Sequence, residues 1–426
     1  MRTPLRHNLR CSVIDGTCYM VMYGLAETFF PLFVLELYGA EVASGLIVTV
    51  PLLVASVLQL ASPVLVQRLR SYKAAVVVCA GLQAVACPLL AAVAFTGHAP
   101  LWLTFLLASM YHAGAIVGGP PWTALMSILV PAPIRANFFA RRLRTLQIGA
   151  VVAVITGASL LDSAPRIVGA AAGVWGALNA WKDHPTLPVF GVLFVLAGVA
   201  RAVSTTYLVR HMEPREAIER HTVLTAGQLV ERMRHGGRWR LIGVIVVFWA
   251  CAMVGSPYWA AYVRGVAGLS FLAWAGLVVL WFLGRAVAVS VVGEAVSRYG
   301  RRKLLVGAAL FMAPIPALWA LSVEPVWLAV AQLLAGMSIA VWDLSTFLVT
   351  METFDEQERT SLLSKYGLLQ WSAGTAGSFV GGAVLDAGGR GRAAFVAVFL
   401  LSSFLRFFAA FVLARTHRSG FPEKGT

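Results

Sequence analysis

Among the ionisable residues inside long apolar runs, Asp15, Glu27, Arg201, Arg285, Asp343 and Arg406 are the candidates for a role. Charged groups are costly in hydrocarbon, so each one needs a partner, water or a task, and such residues mark ion and substrate paths. A carboxyl held there can exchange a proton as its surroundings alternate between two solvents. A guanidinium there can hold an anion or pair with a carboxylate. His112, beside Tyr111, could relay a proton near neutrality, or simply hydrogen-bond a neighbouring helix.

The runs that carry these residues dominate the chain. It is 59% hydrophobic and 12% charged, with a mean hydropathy of +0.78, whereas soluble domains carry about 25% charged residues. Spanning a bilayer takes about 20 apolar residues, and runs of that length must be helical because lipid satisfies no backbone group. The pattern predicts an all-α membrane protein of twelve helices, near 12–37, 43–67, 73–96, 101–128, 143–163, 187–210, 240–263, 268–292, 303–322, 326–350, 361–385 and 392–414. The formal charge of +15 does not indicate nucleic acid, because no basic face alternates with polar sequence. Most of the 34 Lys and Arg residues fall in the loops of one side, which the positive-inside rule makes cytoplasmic along with both termini. The expected location is a boundary membrane, with a bacterial inner membrane first in view. The apolar segment after "MRTPLRHNLR" runs to Leu37, too long for a signal-peptide core, and is expected to remain as the first span. Cys11, Cys18, Cys79, Cys87 and Cys251 make no metal-like spacing with His and read as small packing residues. No zinc pair, nucleophile elbow or phosphate-cradling loop is present, so neither metal nor cofactor is expected and an enzyme is not.

The chain is also written twice. "FGVLFVLAGVARAVSTTYLVR" from Phe190 aligns without a gap to "FVAVFLLSSFLRFFAAFVLAR" from Phe395, placing Arg201 opposite Arg406. "GASLLD" ending at Asp162 answers "GAVLD" ending at Asp386, and Lys73 answers Lys303. Two six-helix halves in parallel orientation follow, residues 1–210 and 240–426. Residues 211–239 join them as an amphipathic cytoplasmic linker. Glycines at four-residue spacing, Gly114 with Gly118 and Gly377 with Gly381, predict close helix approach.

At the second copy's loop stand Gly293, Arg298, Gly300, Arg301 and Arg302. Here the chain resembles the major facilitator superfamily, whose signature G-x-L-[A/S]-D-R-x-G-R-[R/K] lies between helices 2 and 3 and again between 8 and 9. Ser297 replaces the signature's Asp. In the first copy Arg68 and, loosely, Lys73 remain, while Pro63, Gln67 and Arg70 replace Gly, Asp and the second Gly. The resemblance implies that this loop holds the cytoplasmic side together through a charge network. With its Asp missing from both copies, Asp15, Glu294 and Glu352 are the candidates for the counter-charge.

The resemblance also implies that helices 1, 4, 7 and 10 line a central cavity. Glu27 and Asp343 would then face substrate and exchange protons, or else hydrogen-bond a neighbouring helix. Arg285 would contact an anion or pair with an acid, and Asp15 would serve a cytoplasmic gate. Arg201 and Arg406, matched in the repeat, read as shared scaffold. Tyr23, Trp122, Trp249, Tyr258 and Trp342 would suit a mostly apolar pocket. The reading is a monomeric secondary transporter that moves a small organic solute by alternating access, with protons as candidate partners and the bilayer as its setting. Export of lipophilic compounds is the first subclass, and import of a nutrient or organic anion the second. The rival from another class is a transport-inactive membrane sensor or assembly partner.

Overall fold

A computed structural model describes residues 4–174, 181–213, 237–299, 301–353, 359–389 and 391–418. Among the described residues the regular structure is helical, without strands. Eleven helical segments are long and apolar enough to cross a membrane by length and composition. The other predicted span is Arg359–Ala387, 29 residues long. Its glycines, serines and threonines lower its hydropathy without shortening it.

The chain divides into two compact units, Met1–Arg220 with Ser270–Ala275, and His221–Leu269 with Gly276–Thr426. In the first unit, α1 (Pro4–Leu25) and α2 (Phe30–Tyr38) form the first span. The second span is broken into α3 (Glu41–Leu46), α4 (Val50–Gln59) and α5 (Ser62–Leu69). Then follow α6 (Tyr72–Thr96), α7 (Leu101–Leu129), α8 (Ala132–Asp162), a short α9 (Ala164–Val174) and α10 (Thr186–Val209). Here α1 packs on α8 and α10, and α6 packs on α7 and α10.

The second unit begins with α11 (Gly237–Gly255), followed by α12 (Phe271–Tyr299), α13 (Arg301–Met312) and α14 (Ile315–Leu321). The last three helices are α15 (Pro325–Thr353), α16 (Arg359–Ala387) and α17 (Arg392–Arg418). Here α11 packs on α16 and α17, and α13 packs on α15 and α17. The first helix of each unit therefore meets the fifth and sixth, and the third meets the fourth and sixth. That shared pairing is what two copies of one sequence pattern produce, and the twelve spans form two pseudo-symmetric six-helix halves.

The first turn of α12 belongs to the first unit. The Asp162 carboxylate accepts the Phe271 and Leu272 backbone N–H groups, both at 2.8 Å, satisfying two donors that a helix start leaves without partners. Trp274 in the same turn packs on Phe29 at 5.2 Å between ring centroids.

Small residues set a close helix contact in the second unit. A Cβ on Gly377 would lie 2.1 Å from the Ala250 carbonyl oxygen, and one on Gly381 would lie 2.0 Å from that of Val254. Across two successive turns, only hydrogen fits between α11 and α16. In the first unit Gly114 makes a similar but looser approach, a Cβ there meeting the Cys79 carbonyl oxygen at 2.5 Å. All five cysteines are free, and they are buried or half-buried.

Where α10 ends, the chain is tied back to the start of α1. The Met212 N–H donates to Asn8 Oδ1 at 2.9 Å, and His7 Nε2 lies 3.0 Å from the Arg210 carbonyl oxygen. His211 between them is 1% exposed, and its Nε2 has no hydrogen-bond partner. Burial holds the His211 pKa below the ordinary histidine value, and the neighbouring His7 and Lys73 push the same way. The folded chain then binds fewer protons than the unfolded one from pH 6.5 downward, so stability falls with acidification through that window. The slope is at most about 1.4 kcal/mol per pH unit for this one group. His211→Gln is expected to flatten that slope, measured as the difference in Tm between pH 7.5 and pH 5.5. An unchanged difference would contradict the assignment.

Candidate functional site

In both units the first helix breaks at the same place in the repeat. After α1 the chain turns through a 3-10 segment, Glu27–Phe29, and after α11 through another, Ser256–Tyr258. Proline explains both breaks: Pro31 and Pro257 offer no N–H and crowd the carbonyl four residues back. Glu27 and Pro257 are themselves counterparts, 230 residues apart. An unwound turn within a span leaves backbone groups free to bind ions or solute, and in the first unit it also carries a carboxyl.

The groups around Glu27 come from α1 and α7. The Tyr111 hydroxyl lies within interaction range of the Glu27 carboxyl, and it makes no well-formed hydrogen bond. Tyr111 is fully buried and His112 is 3% exposed, their rings 5.3 Å apart edge to face. Phe30 packs on both, at 5.1 and 6.0 Å. Tyr111 of α7 therefore stands beside Glu27, and His112 packs against Tyr111 and Phe30 rather than on the carboxyl itself. Tyr23 lies one turn earlier, its backbone carbonyl accepting the Thr28 hydroxyl at 3.2 Å.

Toward the other end of α1, Asp15 is 3% exposed and has partners of its own. Ser204 Oγ donates to Asp15 Oδ1 at 2.6 Å, Arg201 Nη1 donates to Ser204 Oγ at 2.7 Å, and the charges stand 3.9 Å apart. The Tyr19 ring lies 5.0 Å from the Arg201 guanidinium. Asp15, expected in a gate or loop salt bridge, is thus in an ion pair within its own unit, where its carboxylate neutralises a buried arginine that would otherwise be stranded. Arg406, the repeat counterpart of Arg201, is equally buried. It donates to the Met312 and Ala252 carbonyls and to Ser256 Oγ, at 3.1, 2.8 and 2.9 Å. Ala252 and Ser256 flank the break after α11, so Arg406 ties that break to α13 and α17, a scaffold role consistent with its place in the repeat.

The second unit brings together the remaining two charges. Arg285 Nη2 lies 3.0 Å from Asp343 Oδ2, with the side chains 30% and 45% exposed. The guanidinium also stacks over Trp281, 4.8 Å from the ring centroid. The two helices cross closely here, since a Cβ on Gly284 would meet the Leu333 carbonyl oxygen at 2.2 Å and one on Gly336 that of Trp281 at 2.1 Å.

Most of the aromatic candidates have other occupations. Trp342 is 1% exposed and stacked on Phe248 at 4.3 Å. Tyr258 is fully buried and donates its hydroxyl to the Ser378 carbonyl at 2.5 Å. Trp122 lies under Arg142, 4.8 Å from the guanidinium. Trp249 meets Trp371 edge to face at 5.9 Å.

Of the loop signature, Arg68 is exposed at the end of α5. Arg70, where the family has glycine, adopts left-handed backbone with φ of 49°. Gly293, Arg298, Arg301 and Arg302 lie on α12 and α13, but their side chains fall outside the described residues, as do those of Glu294 and Glu352 and the whole of Gly300. Sequence reasoning missed Ser204, Tyr19 and Glu213. A serine and a tyrosine in an apolar helix carry no distinguishing signal, and Glu213 sits in a charged stretch that reads as solvated.

No protein-family model and no curated protein matches the chain. Solved structures do. The nucleoside transporter NupG superposes with a TM-score of 0.71 at 12% identity, covering 98% of this chain and 99% of that one. A bacterial homologue of the human lysosomal transporter Spinster, inward-facing and unoccupied, gives 0.68 at 13% identity, covering 98% and 99%. A D-xylose–proton symporter gives 0.64 at 15% identity, covering 98% and 99%. Twelve spans, two halves with one pairing scheme and end-to-end superposition agree: the chain has the fold of the major facilitator superfamily.

Proposed function

We propose that the chain is a secondary active transporter that moves a small polar solute by alternating access and couples the movement to protons at Glu27. The observation that carries this reading is the Arg285–Asp343 pair, two charges part-exposed at membrane depth. Lipid would not tolerate them there, so they face water. A solute with acceptor and donor groups can exchange with the two partners in turn. Glu27, at a helix break beside the buried hydroxyl of Tyr111, is the carboxyl best placed to take and release a proton. The solved structures of similar fold include a nucleoside transporter and a D-xylose–proton symporter, which supports solutes of that size and polarity. In this reading both termini are cytoplasmic, on the side of the basic loops, in a bacterial inner membrane.

Export of lipophilic compounds has less behind it, because Trp342, Tyr258 and Trp122 are engaged with Phe248, the Ser378 carbonyl and Arg142. The test is uptake into proteoliposomes under an imposed pH gradient, using labelled nucleosides, pentoses, hexoses and zwitterionic amino acids beside lipophilic cations. Gradient-driven movement of a polar class is expected. Movement of the lipophilic cations alone would favour export, and no movement of any class would favour the sensor reading.

A further inference from the structure

The loop between the second and third spans lacks its signature acid, and Asp15 is committed to Arg201. Yet the loop does hold a carboxylate. Glu213, four residues past the end of α10, accepts the Tyr72 N–H at 2.8 Å and the Lys73 N–H at 3.3 Å through Oε1. Its Oε2 accepts the Ser71 hydroxyl, and Ser71 Oγ in turn caps α6 by accepting the Ala74 N–H at 2.9 Å. One carboxylate thus covers the start of α6, where helix donors lack internal partners and the helix dipole favours negative charge.

The traffic also runs the other way. Lys73 Nζ donates to the His211 and Val209 carbonyls at 3.2 and 3.4 Å, covering the end of α10. Asn8 holds Met212 from the far side, accepting its N–H at 2.9 Å and donating to its carbonyl at 3.4 Å. Anion on helix start, cation on helix end and an amide clasp between them bind three chain segments into one knot.

We propose that Glu213 is the acid of this loop, supplied by the first residues of the inter-half linker in place of the loop's own missing Asp. The linker is then a latch on the second and third spans. A force or partner acting on the linker acts through Glu213 on the start of α6, and Glu213 is a positioning residue in transport. This holds whichever solute is carried.

Amide hydrogen exchange on the full chain in lipid nanodiscs tests it, with Glu213→Gln, Glu213→Ala and, from the opposite side, Ser71→Ala. Glu213→Ala is expected to speed exchange at Tyr72 and Lys73 by about tenfold. It should also speed exchange at Met212, which Glu213 does not touch. Ser71→Ala is expected to do the same at Met212 although it leaves the linker sequence intact, and Glu213→Gln is expected to fall between wild type and Glu213→Ala. A local helix cap would change Tyr72 and Lys73 while leaving Met212 at the wild-type rate, and that pattern would overturn the latch. Unchanged exchange at all three amides would overturn the contact itself. Exchange on α17 serves as the folding control, and a variant that loses protection there is replaced by Glu213→Asp.

Discussion

Asp343→Asn is expected to lower transport at least 100-fold, while the protein stays folded. The substitution keeps the shape of the side chain and removes its charge, leaving Arg285 stacked on Trp281 but without its counter-charge. Breaking a fully buried ion pair costs about 3–5 kcal/mol. Here the side chains are 30% and 45% exposed, and in the proposed transporter reading they face water, which screens the stranded guanidinium and holds the stability loss to about 1 kcal/mol. A 100-fold loss of rate corresponds to about 2.7 kcal/mol, well above that structural cost, so the two effects separate. The double variant Arg285→Gln with Asp343→Asn removes both charges. It is expected to recover the lost stability and still fail to transport. Arg285→Lys is expected to fail as well, since a lysine keeps the charge but not the planar stacking on Trp281. Restored transport in the double variant would make the pair a scaffold element.

The largest effect on folding is expected from Gly377. No real Cβ stands 2.1 Å from a carbonyl oxygen, so Gly377→Ala must push α16 away from α11 across a contact repeated at Gly381. Overpacking of this kind costs about 1–3 kcal/mol, and the atom in the way is rigid backbone rather than a side chain able to swing aside, which puts Gly377→Ala at the upper end. Gly377→Leu is expected to yield no monodisperse protein. Gly307, where an added Cβ meets nothing within 4 Å, is the matched control, and Gly307→Ala is expected to leave the Tm within a degree or two of wild type. Equal Tm values for Gly377→Ala and Gly307→Ala would contradict the close packing.

These two sites differ in how far the sequence reveals them. The four-residue glycine spacing in α16 is visible in the chain, and its partner helix follows from the repeat, because the fifth span meets the first in either half. Span positions were equally legible, since uninterrupted apolarity leaves the backbone one way to satisfy itself in lipid. Arg285 and Asp343 were each legible as charges out of place, but not as a pair, because the register between α12 and α15 is set by Gly284 and Gly336, whose role shows only when the backbones meet. Asp15 was legible as a salt-bridge candidate, but its partners were not, because Ser204 and Arg201 lie nearly two hundred residues away in the chain. Glu213 was invisible, because a carboxylate in a charged linker looks like any solvated acid until a helix start is found beneath it.

The claim at the centre of the account is that Glu27 links solute movement to protons. Its most direct measurement is solute-driven proton flux in proteoliposomes loaded with a pH-sensitive dye, comparing wild type with Glu27→Gln and using the solute that the uptake panel identifies. The account predicts proton movement with solute in the wild type. In Glu27→Gln it predicts solute exchange without proton movement, because the carboxamide keeps the shape of the break and carries no exchangeable charge. Proton flux of wild-type size in Glu27→Gln would contradict it and move the coupling site elsewhere.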